Sequence, residues 1–273
     1  MHYLSFVWDP SAGIDLGFFV IRYYSLMFVI AFVLGWFIMK KIFNKENIPM
    51  EQLDSLFIYM VVALLIGMRL GHVLFYQSEL LWEDPVSVIL PFSFQEGFHY
   101  TGFQGLASHG AAIGGIVAMF IFSRKVSKKP VLWILDRVVI ACASGAVFVR
   151  IGNFINSEII GKETGSDFGV IFKQLGESFP RHPSQLYEAA GYVLVFFILW
   201  FIYWKTDKKK QRGFLFGAFF VLLFTVRFFV EFLKEAQVEG RGEWLLNTGQ
   251  LLSIPLVLAG IYFIIRSSKK QSV

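Results

Sequence analysis

Cysteine is nearly missing from this chain. Cys142 is the only one, set in the apolar run Val138-Val139-Ile140-Ala141-Cys142-Ala143. A single thiol forms no internal disulfide and cannot hold a metal alone, so a disulfide scaffold is excluded and the residue reads as a small buried hydrophobe. Charge is scarce too, at 16% of 273 residues, where an ordinary soluble domain carries about 25%. With composition this far from water-soluble, disorder, collagen and a nucleic-acid binder are excluded as well. Internal repeats and low-complexity tracts are absent, which argues against a transporter built from inverted repeats.

What is plentiful is apolar: 56% of residues are hydrophobic and 18% aromatic, with 32 Phe and a mean hydropathy of +0.59. Bilayer-crossing runs of roughly 17–25 residues fall at about 17–39, 54–75, 105–123, 131–151, 186–204, 213–233 and 247–266. The pattern predicts an all-α polytopic membrane protein with about seven transmembrane helices. The third run is the weakest, since it opens on the polar, Gly-rich Gly105-Leu106-Ala107-Ser108-His109-Gly110. Five spans plus a hairpin is the alternative.

Lys and Arg alternate between the loops. Residues 40–53 carry Lys40, Lys41 and Lys45, residues 124–130 carry Arg124, Lys125, Lys128 and Lys129, residues 205–212 carry Lys205, Lys208, Lys209, Lys210 and Arg212, and the tail carries Arg266, Lys269 and Lys270. These are fifteen basic residues on one side against five on the other, in 152–185 and 234–246. The positive-inside rule places the N-terminus outside and the C-terminus in the cytoplasm. The start, Met1 to Pro10, has no basic n-region, so no cleavable signal peptide is expected. We read residues 1–273 as one integral-membrane domain with extracytoplasmic insertions at 76–104 and 152–185 forming a small head. The first insertion holds Glu79, Glu83, Asp84, Pro85, Pro91 and Glu96 among Trp82, Phe92, Phe94 and Phe98. That mix suits either the membrane surface or a cover over a site.

Polar residues gather at the predicted outer ends of the spans: Arg22, Tyr23 and Tyr24; Arg69 and His72; His109; Arg150, Asn153 and Asn156; Arg181, His182, Gln185 and Glu188; Arg227 and Glu231; Asn247 and Gln250. An arginine in hydrocarbon costs at least about 2.5 kcal/mol at mid-depth. Each alone can snorkel to the head groups. A polar cavity open to the outer leaflet accounts for all of them together, and guanidinium suits phosphate by permanent charge and planar fork. The expectation is a site for an anionic lipid head group.

Three strings carry this chemistry. In Ser108-His109-Gly110-Ala111-Ala112-Ile113-Gly114-Gly115, small residues leave room around an imidazole that can act as a general base. In Arg150-Ile151-Gly152-Asn153-Phe154-Ile155-Asn156-Ser157-Glu158-Ile159-Ile160-Gly161, the Arg and two Asn share one helix face if the helix runs past Gly152. In Arg181-His182-Pro183-Ser184-Gln185-Leu186-Tyr187-Glu188, Pro183-Ser184 suits a helix start. Tight helix packing, backbone satisfaction and helix capping are the structural alternatives for the three in turn.

These strings resemble the bacterial prolipoprotein diacylglyceryl transferase family, along essentially the whole chain. The segment Arg150 to Gly161 looks like that family's signature. His109-Gly110 with Ile113-Gly114-Gly115, Arg181 to Glu188, Arg227 with Glu231, Ile21-Arg22-Tyr23-Tyr24 with Leu26-Met27, and Gly249-Gln250-Leu251-Leu252-Ser253-Ile254-Pro255 match further blocks in order. Departures are Val149, Ser157, Ser25 and Ala111-Ala112, where glycine is usual, and Lys234, where arginine is common; Val149 bears on how closely the fourth span packs.

The resemblance implies an enzyme of the bacterial cytoplasmic membrane, multi-pass, with its active site toward the extracytoplasmic side. It would move the diacylglyceryl group of phosphatidylglycerol to the lipobox cysteine thiol of a preprolipoprotein signal peptide, forming a thioether and releasing glycerol phosphate. Arg150 and Arg227 would hold the phosphate, and His109 would take the thiol proton. Asn153, Asn156 and Glu158 would orient the head group or the arginines, with Arg22, Tyr24, Arg69 and Glu231 around them. Gly161, His182, Gln185, Tyr187, Glu188 and Gln250 complete the substrate-binding set. Phosphatidylglycerol, the signal peptide and membrane lipids are the expected partners. No metal or other cofactor is called for, and there is no Cys/His ligand set; nothing specifies an oligomeric state. Two other classes compete. An intramembrane protease would need a Gly-x-Ser-Gly string, which Cys142-Ala143-Ser144-Gly145 lacks, or paired carboxylates, whereas Asp54 and Asp136 lie at the other ends. An anionic-lipid transporter would need polar residues at both faces.

Overall fold

The computed structural model describes residues 4–17, 20–90, 92–94, 97–100, 105, 107–235 and 246–269. Of the positions used above, residues 1–3, Pro91, Glu96, Leu106 and Lys270 lie outside the described residues, as does one of the two basic residues in 234–246. Nine α-helices are present among those described: α1 (Tyr23–Lys45), α2 (Met50–Tyr76), α3 (Leu80–Glu83), α4 (Pro85–Ile89), α5 (Ser108–Phe122), α6 (Val131–Ile155), α7 (Ser184–Lys205), α8 (Phe214–Val230) and α9 (Thr248–Lys269). Seven of them, α1, α2 and α5 to α9, are long and apolar enough to cross a membrane. Six short strands accompany them: β1 (Leu4–Trp8), β2 (Gly13–Asp15), β3 (Val20–Arg22), β4 (Phe92–Ser93), β5 (His99–Tyr100) and β6 (Phe168–Phe172).

The first span starts later than hydropathy indicates. Residues 17–22 precede α1, because β2 and β3 pair antiparallel with Ile14 opposite Ile21. Hydropathy cannot separate an apolar hairpin from a helix of the same composition. Cys142 also differs from expectation: it is exposed on the surface of α6. On a membrane-spanning helix an apolar side chain is as well placed on the outer face as inside.

The chain forms two compact units. One comprises Phe43–Ile134. Here α2 and α5 cross at backbone contact: a Cβ added at Gly67 would lie 2.4 Å from the Gly110 carbonyl oxygen, and one at Gly110 would lie 2.1 Å from that of Gly67. Lipid tails are as apolar as leucine, so close van der Waals contact between small residues is what holds such helices together. Arg69 of α2 is buried, with Nε donating to the Val88 carbonyl at 3.2 Å and Nη2 to that of Ser87 at 2.7 Å. It thereby satisfies the carbonyls at the end of α4, whose N-terminus is capped by Asp84.

The other unit comprises Met1–Ile42 and Leu135–Val273. Helix α8 packs along α9, with Gly217 and Gly260 at their closest approach, and against α7, where Gly191 faces Val226. The Lys-rich helix ends lay their cations over rings, Lys41 on Trp200, Lys209 on Tyr203 and Lys208 on Phe214. At that end Asp136, wholly buried, accepts from the amides of Gly213 at 2.7 Å and Phe216 at 2.9 Å, capping α8. At the opposite helix ends a small head forms. Parallel β1 and β6 continue through pairings of Val170 with Arg181, Glu163 with Arg181, and Gly161 with Lys234. Phe154, Val170 and Phe172 are its core, under Trp8, whose indole N–H caps the Phe154 carbonyl at 3.0 Å.

Candidate active site

The site is built where four helix ends meet the head. Helix α6 does run past Gly152, then stops on Ser157 in the left-handed region at φ 53°. The Glu158 amide donates back to the Asn153 carbonyl at 2.9 Å, a closing bond that a left-handed residue permits. Ile159 follows at φ 56°, a conformation β-branched residues rarely adopt. What holds this turn is the first turn of α7: Ser184 Oγ donates to the Ile159 carbonyl at 2.9 Å, and Gln185 Nε2 to the Glu158 carbonyl at 2.6 Å.

The turn folds its side chains over one another. Glu158 accepts from Asn153 Nδ2 at 3.2 Å and Asn156 Nδ2 at 3.0 Å, and Asn153 Oδ1 accepts from Arg150 Nη1 at 3.0 Å. Tyr24, at the start of α1, interacts through its phenol with Asn153, Glu158 and Arg150. Its ring occupies the space of the missing Gly152 side chain, where a Cβ would lie 2.8 Å from Tyr24 Cδ2.

Behind Arg150 lies a buried ionic chain. Its Nε meets Glu188 Oε2 of α7 at 2.7 Å. The other Glu188 oxygen accepts from Lys234 Nζ at 3.0 Å and the Tyr192 hydroxyl at 3.3 Å, and Lys234 Nζ also reaches Glu231 Oε2 at 3.0 Å. Glu188, Glu231 and Lys234 are all buried. Arg227 of α8 completes the group: Tyr192 lies within electrostatic reach of Arg150, Arg227 and Glu188 together. The Arg227 Nε is buried without a hydrogen-bond partner among the described residues. An open buried donor costs about 1–3 kcal/mol, so its presence beside a second guanidinium argues for a ligand that completes it.

The remaining predicted residues are placed as follows. Asn247 and Gln250 form a reciprocal capping box at the start of α9, Oδ1 accepting from the Gln250 amide at 2.9 Å and Oε1 from the Asn247 amide at 3.0 Å. The Glu231 carboxylate lies against Gly249, where a Cβ would be 2.3 Å from it. Gly161 donates its amide to the His182 carbonyl at 3.1 Å and has no room for a side chain there, while His182 Nδ1 lies 3.3 Å from the Tyr187 hydroxyl. Arg181 grips Glu177 through Nε and Nη2, both at 2.6 Å, and Glu235 through Nη1 at 2.6 Å. The hydrogen bonds to Glu177 hold its guanidinium above the ordinary arginine range. Arg22 is exposed at the end of β3. In the Phe43–Ile134 unit, His109 is exposed at the start of α5, with the rings of Phe75 and Tyr76 at centroid distances of 4.9 and 6.0 Å.

Eight predicted residues, Tyr24, Arg150, Asn153, Asn156, Glu158, Gln185, Glu188 and Glu231, thus share one network. Lys234 and Tyr192 belong to it without having been assigned a role from sequence. The available signal was spacing: Lys234 follows Glu231 by three residues, and Tyr192 follows Glu188 by four, each placing the pair on one helix face.

The sequence pattern of the prolipoprotein diacylglyceryl transferases matches residues 12–266. This chain belongs to that family. Relatives named phosphatidylglycerol–prolipoprotein diacylglyceryl transferase include that of Tolumonas auensis, 40% identical over 264 residues and covering 97% of each chain. That of Bacteroides fragilis is 40% identical over 273 residues, 99% of this chain and 98% of its own. That of Chloroherpeton thalassium is 38% identical over 267 residues, 97% and 96%. All six blocks that carry the family resemblance, from Ile21 to Pro255, fall inside the matched span.

Proposed function

We propose that the protein transfers the diacylglyceryl group of phosphatidylglycerol to the lipobox cysteine thiol of a preprolipoprotein. The sulfur forms a bond to the glyceryl carbon as the carbon–oxygen bond to phosphate breaks. The oxygen keeps the electron pair, glycerol phosphate leaves with one more negative charge than the diester had, and the thiol proton goes to a base. The step therefore needs a thiolate and a preorganised charge at the departing phosphate.

One observation carries the reading: two guanidiniums from different helices, Arg150 and Arg227, converge at Tyr192 with a buried donor still open. The Arg150 and Arg227 guanidiniums bind the phosphate and stabilise the charge it gains. Tyr24, Asn153, Asn156 and Glu158 hold Arg150 and meet the glycerol hydroxyls. His109, exposed and without a hydrogen bond among the described residues, takes the thiol proton. The Lys and Arg distribution supports a reading in which these helix ends lie at the extracytoplasmic face of the bacterial cytoplasmic membrane, with 76–104 and 152–185 outside.

The test uses purified protein in vesicles with radiolabelled phosphatidylglycerol and a lipobox thiol peptide. Covalent label should appear on the peptide. Arg150→Ala should lower the rate by about 10²–10³, as removal of one preorganised donor does, and His109→Gln should lower it less. Labelling by Arg150→Ala at the wild-type rate refutes the assignment.

A further inference from the structure

Glu188 stands among substrate-binding residues by motif, yet its side chain is 0% exposed. Both oxygens face protein groups: Oε2 stands in an ion pair with Arg150 Nε, without a hydrogen bond of its own among the described residues, and Oε1 accepts from Lys234 and Tyr192. It has no face left for a substrate. Arg150, by contrast, keeps 14% of its side chain exposed. With Nε in an ion pair to Glu188, Nη1 on Asn153 and the Tyr192 hydroxyl hydrogen-bonded to the same group, the guanidinium is held from three sides while its edge stays open.

We propose that Glu188 is a positioning residue for the transfer: its carboxylate aims the exposed part of the Arg150 guanidinium at the lipid phosphate, while drawing Lys234 away from it. The second half follows from the same geometry. A lysine ammonium is a compact point charge on a flexible stem and would compete for the phosphate. Held at 3.0 Å from both Glu188 and Glu231, it is spent on carboxylates. The phosphate then meets the two guanidiniums alone. This inference rests on the phosphate reading of Arg150 given above.

The experiment measures kcat and KM for phosphatidylglycerol with the full chain in vesicles and the thiol peptide as acceptor. Glu188→Gln should lower kcat on the order of 10–100-fold, the range for misplacing a reacting group by about 1 Å. KM should fall, because the cluster gains positive charge toward an anionic lipid. Loss of folded protein would lower kcat without lowering KM. The double variant Glu188→Gln/Lys234→Met, which restores the net charge, should stay as slow as the single one; recovery would mean that Glu188 only balances charge, and would overturn the proposal. Should Glu188→Gln not fold, Glu188→Asp carries the test: a carboxylate one methylene short should still lower kcat about tenfold, and wild-type kcat would overturn it. Arg150→Ala separates the two ideas. If it is inactive while Glu188→Gln turns over at the wild-type rate, the positioning role alone fails; if it is fully active, the phosphate reading fails.

Discussion

Gly114 and Gly115 are neighbours on α5 with opposite surroundings, and alanine at each should act in opposite directions. A Cβ at Gly114 would lie 2.3 Å from the Ala63 carbonyl oxygen of α2, more than 1 Å inside the 3.4 Å of ordinary contact. At Gly115 the nearest atom is Met60 Cε at 3.7 Å, which already is ordinary contact. Alanine is favoured over glycine in a helix by about 1 kcal/mol, and that gain applies to both. At Gly114 it is outweighed, because overpacking costs about 1–3 kcal/mol and neither backbone can yield without parting the helices. Gly114→Ala should therefore lose up to about 2 kcal/mol, and Gly115→Ala should gain up to about 1. The assay is thermal unfolding of the detergent-solubilised protein, in which each kcal/mol corresponds to about 2–4 °C at this chain size. Peptide labelling in parallel should fall for Gly114→Ala, since the helix that carries His109 must shift. Equal midpoints for the two variants would refute the claim that backbone contact holds α2 to α5.

Three further outcomes follow from the geometry. Asp136→Ala strands the buried amides of Gly213 and Phe216 and should lower the thermal midpoint by the equivalent of about 1–3 kcal/mol for each; Asp136→Asn, which keeps one acceptor, should lose about half as much. Ser157→Gly removes a side chain from a left-handed residue at φ 53° and should stabilise by about 1 kcal/mol; an unchanged midpoint would mean that no strain is stored there. The Asp9 carboxylate, hydrogen-bonded to Lys173 at 2.8 Å, raises the ammonium above its ordinary 10.5. Stabilisation from a raised cation is complete below the ordinary value and fades as pH climbs through the folded one. Trp8 beside this pair should thus report a strongly alkaline fluorescence step that Lys173→Met lacks, and identical titrations would discount the pair.

Much of the architecture was legible in residue order. All seven spans lie within a few residues of the hydropathy runs, apart from the first, expected at 17–39 and found at Tyr23–Lys45, where Ile14 and Ile21 pair in strands before the helix that no periodicity marks. The signature Arg150 to Gly161 announced a polar helix end, and its residues do form one network. A small head was expected, but its strands were not legible, since β1 pairs with a segment more than 160 positions away and the other pairings are single bridges at Gly161, Glu163 and Val170. Nor were the separate duties of the arginines. Arg69 serves the carbonyls of α4, Arg181 serves Glu177 and Glu235, and Arg150 and Arg227 converge at Tyr192, yet all four look alike as cations near span ends.

The order of residues alone pointed to about seven bilayer-crossing runs and to the ends at which polarity collects, because hydrocarbon penalises each polar group separately and those penalties add along a short stretch of chain. Which carboxylate faces which guanidinium was left to three-dimensional packing. Glu188 and Lys234 stand 46 positions apart, and their meeting at 3.0 Å depends on how far α7 is rotated and where α8 ends. Ion pairs and hydrogen bonds are won or lost within an ångström, a distance that no local sum of residue properties encodes.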